Sequence, residues 1–296
     1  MGAGAQRLRR AVGEVRDRPS LTAYRVALSR AAHQLLDEPR VLDDPLALAI
    51  VGPAAVAAIR AAPLRHRVSP ARQLRAFLVA RSRVAEDALA AAVRRGVRQY
   101  VVLGAGLDTF AYRNPYRARQ LRVFEVDHPV TQQWKRRQLQ SAGIACPESL
   151  TFVPVDFESE GLMERLDAGG FRADEPAFFS WLGVSMYLSR AAVTATLACV
   201  ASLPRGSGIV LDYAVPPASL TPLRRLVMHA LLRRVAAAGE PWKSFFAPRE
   251  LTVELRALGF TELEDLGPQE LNARFFAARA DGLRTGGPAR LISAHS

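Results

Sequence analysis

The sequence predicts an α/β fold built on an open, mostly parallel sheet with helices on both faces. Three observations predict it. Between residue 97 and about residue 215, short apolar runs recur with helical stretches between them: "QYVVLGA", "LRVFEVD", "LTFVPVD", "AFFSWLG" and "GIVLDYA". Each run is rich in Val, Ile and Phe and lacks polar alternation, as a strand covered on both faces requires. The first run ends in Gly-Ala-Gly, where backbone must come close to something that a side chain would block.

Taken in order, residues 1–20 are polar and arginine-rich and are expected to form a flexible leader. Residues 21–95 place apolar positions at three- and four-residue spacing, broken at Pro39, Pro45, Pro53, Pro63 and Pro70. That pattern predicts a cap of several helices. Residues 96–215 hold the strand–helix units of the sheet core. The stretch 216–248 turns helical and arginine-rich again and reads as an insertion packed over the top of the sheet. Residues 249–296 supply "FTELEDLG" and "PARLISA" as the last two strands, which makes 21–296 one domain.

Composition narrows the function classes. Hydrophobic residues make up 49% and charged residues 23% of the chain, the balance of a globular fold of enzyme size. No run reaches the ~18 apolar residues of a membrane span. The start "MGAGAQRLRR" has no apolar segment behind its charges, and position 6 is Gln where an acylation motif wants a hydroxyl residue. A cytoplasmic protein without a membrane partner is therefore expected. Cys146 and Cys199 lack CxxC spacing, which fits a reducing compartment, and no metal site is expected. The net charge of +12 raises nucleic-acid binding, but of the 40 basic residues only Lys135 and Lys243 are lysine. The arginines are spread along the chain without interleaved aromatics, so nucleic acid is not expected as a partner.

In an open α/β sheet, ligands bind at the carboxyl ends of the strands. The first strand brings Gly104, Ala105, Gly106 and Asp108 there, the second Glu125 and Asp127, and the third Asp156. Glu125 and Asp127 follow the glycines by roughly 20 residues, the usual distance of an acid that takes ribose hydroxyls. A pyrophosphate cofactor wants G-x-G-x-x-G with no carboxylate beside it. Here Thr109 stands at the third glycine, and Asp108 before it would repel a pyrophosphate in a poorly screened site. A cofactor carrying an ammonium and a sulfonium is attracted instead, and S-adenosylmethionine is such a cofactor.

Several stretches occur in a telling order: "VALSRA" with "LDDPLA" after it, "VARSRVAEDAL", "LGAGLDT", "FEVDHP", "VDF" and "GEPWKSFFAPREL". Together they resemble the leucine carboxyl methyltransferase-like family of S-adenosylmethionine-dependent methyltransferases, in its bacterial members. The resemblance covers roughly residues 20–215 and more loosely the rest. It implies a Rossmann-like class I methyltransferase sheet with S-adenosylmethionine as cofactor. It further implies that Arg81 binds the methionine carboxylate and that Gly104, Ala105 and Gly106 form the glycine loop. In the same way, Asp127 takes the ribose, and Asp156, with Phe157 beside it, contacts adenine. A guanidinium is also the better geometric partner of a carboxylate, with Arg25 and Arg30 as rival candidates. The family commonly carries a glutamate before Gly-x-x-x-Tyr-Leu at the fourth strand. Here that position is Leu182, expected to line the cofactor or acceptor pocket as an apolar wall.

Methyl transfer is an in-line displacement, so the protein mainly positions a nucleophile. A carboxylate acceptor is ionised already, whereas a hydroxyl acceptor wants a base. The catalytic candidates are His33 and His229, in the helical regions expected to roof the pocket, and Tyr187, just past the fourth strand. Tyr187, Trp242, Phe245 and Phe246 are expected either as an acceptor wall or as packing. The expected function is O-methylation of a carboxylate or hydroxyl of a small molecule, such as a bacterial secondary metabolite. A protein C-terminal carboxylate as acceptor, an NAD(P)-dependent oxidoreductase on the same sheet, and a non-catalytic cofactor-binding protein stay open as alternatives.

Overall fold

The computed structural model describes residues 20–63, 66, 68, 71–237 and 239–296. The expected leader, apart from Ser20, and the break at Pro70 lie outside the described residues. The N-terminal helices are α1 (Leu21–Leu36), α2 (Leu46–Val51), α3 (Pro53–Ala61) and α4 (Ala71–Arg94). Ser20 caps α1, its hydroxyl accepting from the Ala23 N–H at 3.1 Å. Pro53 opens α3, where its fixed φ and missing N–H cost nothing.

The sheet has seven strands: β1 (Gln99–Leu103), β2 (Arg122–Asp127), β3 (Leu150–Pro154), β4 (Ala177–Trp181), β5 (Gly208–Ala214), β6 (Glu262–Leu266) and β7 (Ala289–His295). Their order is β3-β2-β1-β4-β5-β7-β6. The first five pair in parallel, and β7 runs antiparallel to both β5 and β6. β1, β4 and β5 are buried at every position, which is why they read as unbroken apolar runs.

Side chains alternate across the sheet with period two and build a core on each face. Tyr100, Val102, Phe178 and Val210 pack with Ala27 of α1 and with Val84 and Leu89 of α4. Val101, Leu103, Phe179 and Trp181 pack with Val193 and Leu197 of the helix Arg190–Ala201 and with Leu251 and Leu255 of Pro248–Ala257. The remaining helices on the sheet are α5 (Pro129–Ser141), α6 (Leu162–Ala168) and, after β6, Pro268–Phe275. In chain order the helices after α6 are α7 (Arg190–Ala201), α8 (Pro222–Ala237), α9 (Pro248–Ala257) and α10 (Pro268–Phe275). Strand order reverses between β1 and β4, so a crevice opens at their carboxyl ends.

The stretch 216–248 is only partly helical. α8 ends at Ala237, and residues 240–247 form no helix. This extended stretch is pinned by backbone hydrogen bonds instead. The Lys243 N–H donates to the Met186 carbonyl at 2.7 Å, and the Phe246 N–H donates to the Ala214 carbonyl at 2.9 Å.

Candidate functional site

A cavity of about 420 Å³ lies at the carboxyl ends of β1, β2 and β4, roofed by α1 and residues 239–243. Gly104, Ala105, Gly106 and Asp108 line it after β1, Asp127 at the end of β2, Asp156 and Phe157 after β3, and Leu182 after β4. Arg81 of α4 and Tyr187 complete the group. Arg81 and Tyr187, 106 positions apart in sequence, thus line one cavity at the strand ends.

The glycine loop is shaped by space. Gly104 has φ of +65°, and a Cβ on it would lie 2.2 Å from a methyl of Val184. The loop then turns back over Asp127. The Gly106 N–H donates to Oδ2 at 2.6 Å and the His128 N–H to Oδ1 at 2.7 Å. Burial pushes the Asp127 carboxyl up, and those two N–H groups act against it. Asp156 is half-buried, and its Oδ1 accepts from the Glu158 N–H at 3.1 Å. Phe157 packs beside Trp181, ring centroids 6.4 Å apart.

Two arginines line the cavity, and they differ in what remains open to a ligand. Arg30 donates through Nη1 to Asp108 at 2.8 Å and pairs through Nη2 with Asp44 at 2.7 Å. Asp108 is therefore partly compensated from within the protein while its side chain still lines the cavity. Burial pushes its carboxyl up, but Arg30 together with Lys135, Arg113 and the Phe110 N–H holds it at about 2. Arg81 donates through Nη1 to Asp212 of β5 at 2.5 Å, and its buried Nε has no partner among the described residues. Its Nη2 faces Gly183, where a Cβ would come within 2.9 Å. The Gly183 N–H donates to the other oxygen of Asp212 at 2.5 Å. Asp212 so orients both the guanidinium and the turn after β4. Arg25 is exposed, and it does not line the cavity.

The roof is clasped by side chains. Glu240 accepts from the Ser20 hydroxyl at 2.9 Å and from the Thr22 hydroxyl. Lys243 pairs with Glu158 at 2.8 Å. Tyr187 lies under this roof, edge-on to Trp242 with centroids 6.5 Å apart, and burial pushes its phenol up.

Several expected site residues lie elsewhere. Glu125 is buried one pleat below the strand tip and pairs with Lys135 at 2.7 Å. Burial pushes its carboxyl up to about 7 against the pull of Lys135. It does not line this cavity, and its ion pair with Lys135 ties α5 to β2. His33 is fully buried, with Nδ1 on Asp37 at 2.9 Å and Nε2 accepting from the Val41 N–H at 3.0 Å. It organises the turn after α1 and is no catalytic candidate. His229 is exposed on α8 and, with Trp242 and Phe245, lines a second cavity of about 580 Å³ outside the roof. Phe246 is a core residue, 1% exposed, with the Arg190 guanidinium 4.9 Å over its ring. It is no acceptor wall. Asp212 and Glu240 escaped the sequence reading. An acid inside the otherwise apolar run "GIVLDYA" was the available signal for the first; nothing local marks the second.

The model of the leucine carboxyl methyltransferase family matches residues 23–201, more than half of the chain and the part that carries the cavity's glycine loop and strand-tip acids. The chain belongs to the leucine carboxyl methyltransferase family. It is thereby an S-adenosylmethionine-dependent methyltransferase. YktD of Bacillus subtilis (strain 168), named as a candidate S-adenosyl-L-methionine-dependent methyltransferase, is 34% identical over 285 residues, covering 89% of this chain and 93% of its own length. Among solved structures, a candidate methyltransferase from Thermobifida fusca YX aligns with a TM-score of 0.55 at 16% identity, over 95% of this chain and 96% of that one. A DUF574 protein from Streptomyces avermitilis aligns with a TM-score of 0.53 at 16% identity, over 90% and 96%. At that identity the two structures testify to the shared fold, the seven-stranded sheet of class I methyltransferases.

Proposed function

We propose that this family member methylates an oxygen, a carboxylate or a hydroxyl, of a small acceptor such as a bacterial secondary metabolite. The observation that carries the reading is the convergence of the glycine loop, Asp127, Asp156 and Arg81 from separate elements on one cavity. The donor set suits S-adenosylmethionine, whose sulfonium makes its methyl an electrophile. Asp127 would accept from the ribose hydroxyls, Asp156 from the adenine amino group, and Arg81 would donate its open edge to the methionine carboxylate. Gly183, by lacking a Cβ, leaves Arg81 the room to do so.

The acceptor would sit beside Tyr187, with the second cavity, which shares Pro241 with the first, as its outer part. Trp242 and Phe245 line that outer part. A carboxylate acceptor is favoured over a hydroxyl by the placement of the histidines. His33 and His229 are outside the first cavity, and His128, which lines it, uses Nδ1 to accept from the Val130 N–H. A carboxylate needs no base.

The test is to incubate the protein with labelled S-adenosylmethionine and a panel of aromatic acids, phenols, amines and peptides, then treat products with mild base. Methyl esters release label and methyl ethers retain it. For a carboxylate acceptor the rate should stay flat above pH ~5, because the nucleophile is already ionised. Label found only on nitrogen or carbon acceptors would overturn the oxygen assignment while leaving the cofactor in place.

A further inference from the structure

The lining of the first cavity extends from the glycine loop onto the face of β1 and β4 that α4 covers. Ser82, Glu86, Tyr100, Phe110 and Ser180 form this floor. Tyr100 and Ser180 are 3% and 1% exposed, and the Tyr100 phenol donates to the Ser180 hydroxyl at 2.8 Å. The strands bring the two together. β1 and β4 pair in parallel with Val102 opposite Ser180, and Tyr100, two residues before Val102, lies on the same face. The phenol is held in direction by its neighbours. Phe110 meets the ring edge-on with centroids 4.9 Å apart, and Phe178 stacks on it at 6.1 Å.

A pair of hydroxyls carries two protons, and the bond between them uses only one. With the phenol as donor, the proton left over is that of Ser180, which has no acceptor among the described residues. The other polar groups of the floor are committed. Ser82 donates to the Leu78 carbonyl at 3.2 Å, Glu86 accepts from Arg113 at 2.9 Å, and Asp108 accepts from Arg30 at 2.8 Å. A buried donor at the wall of a ligand cavity takes its acceptor from the ligand. In the site reading above, ribose and adenine lie at β2 and β3, on the far side of β1 from Ser180. The methionine carboxylate lies at Arg81, whose guanidinium packs against Gly183, three residues after Ser180. A carboxylate accepts through two oxygens and about four lone pairs, so one guanidinium edge leaves room for a further donor.

We propose that Ser180 is a second donor to the methionine carboxylate of S-adenosylmethionine, and that Tyr100 is a positioning residue that turns the Ser180 hydroxyl toward it. The proposal rests on the placement of that carboxylate at Arg81. It is tested with the full chain by calorimetry of S-adenosylhomocysteine and of methylthioadenosine, which lacks the amino-acid end. Ser180→Ala should lower affinity for S-adenosylhomocysteine about tenfold and leave that for methylthioadenosine unchanged. Tyr100→Phe keeps the serine hydroxyl but frees it to turn, so the loss should be smaller, about threefold, and again on S-adenosylhomocysteine alone. The double variant Tyr100→Phe/Ser180→Ala should lose no more than Ser180→Ala does. It leaves no orphaned hydroxyl in the core, so it carries the test if the serine variant alone unfolds. Losses that add, or that fall equally on both ligands, would mark the pair as structural and overturn the proposal. Arg81→Lys separates this proposal from the reading beneath it. If that variant weakens S-adenosylhomocysteine alone while the double variant binds it like the parent, the carboxylate placement stands and the role of Ser180 falls. If Arg81→Lys weakens both ligands alike, the placement falls and the proposal with it.

Discussion

Arg81 and Asp212 stand 131 positions apart in sequence and share a 2.5 Å contact under the roof of the cavity. Removing the arginine would strand a buried carboxylate, so the informative change keeps the charge. Arg81→Lys retains a cation for Asp212 but loses the planar fork that a carboxylate ligand uses. The expected result is an affinity for S-adenosylhomocysteine lowered about tenfold. Affinity for methylthioadenosine, which lacks the amino-acid end, should be unchanged. Calorimetry on both ligands checks this, and equal losses on the two would contradict the placement. Local pattern made Gly104, Gly106 and Asp127 legible, because a buried strand, a glycine turn and an acid about 20 residues on are all read along the chain. Glu125 looked equivalent to Asp127 in the same run. Its burial against Lys135 depends on how α5 folds back, and no spacing expresses that.

At the scale of elements, Arg30 joins α1 to the loop after β1 and to the segment before α2. It contacts Asp108 and Asp44, and Asp44 is wholly buried. Arg30→Ala would leave that acid without a cation at bonding distance except Arg113, at 3.3 Å. A loss of about 3–5 kcal/mol of stability is expected, read by urea unfolding, with partial recovery on adding Asp44→Asn. A change under about 1 kcal/mol would mean that the contact is solvated. Phe246 and Trp242 make a second contrast within one segment. Phe246→Ala should cost about 3–5 kcal/mol by opening a cavity in the core. Trp242, at the mouth of the second cavity, should instead raise the acceptor KM when replaced by Ala, with much less effect on unfolding. The aromatic cluster "WKSFF" was visible in the sequence. Which of its rings faces inward was not, because residues 240–247 leave the helical period and follow hydrogen bonds to Met186 and Ala214.

Across the whole molecule, acid stability follows from buried carboxylates held by arginines. Burial pushes Asp37 and Asp108 up, but their partners together prevail: His33 and Arg75 for the first, and Arg30 with Lys135, Arg113 and the Phe110 N–H for the second, leaving both at about 2 against an ordinary 3.8. A folded-state value below the unfolded one means that the unfolded chain binds more protons in that window. Their contribution is thus fully present above about pH 4 and is lost as pH falls from there toward 2. Unfolding free energies measured across that range should fall with pH, and Asp108→Asn should flatten the slope. Strands β1 to β5 were legible as buried apolar runs and β6 and β7 as the last two strands, but their order in the sheet, with β7 inserted between β5 and β6, was not. The clasp between α1 and residues 239–243 was not, since Ser20, Thr22 and Glu240 are ordinary surface residue types that become a roof only when the two ends of the fold meet.

The central claim is that the cavity at the ends of β1, β2 and β4 holds S-adenosylmethionine with its ribose on Asp127. Isothermal calorimetry of S-adenosylhomocysteine with the parent and with Asp127→Ala tests it most directly. The account predicts one site per chain in the parent and an affinity about ten- to a hundred-fold lower in the variant, the loss of a charge-assisted hydrogen bond worth ~1.5–3 kcal/mol. Unchanged affinity in a folded Asp127→Ala protein would contradict it.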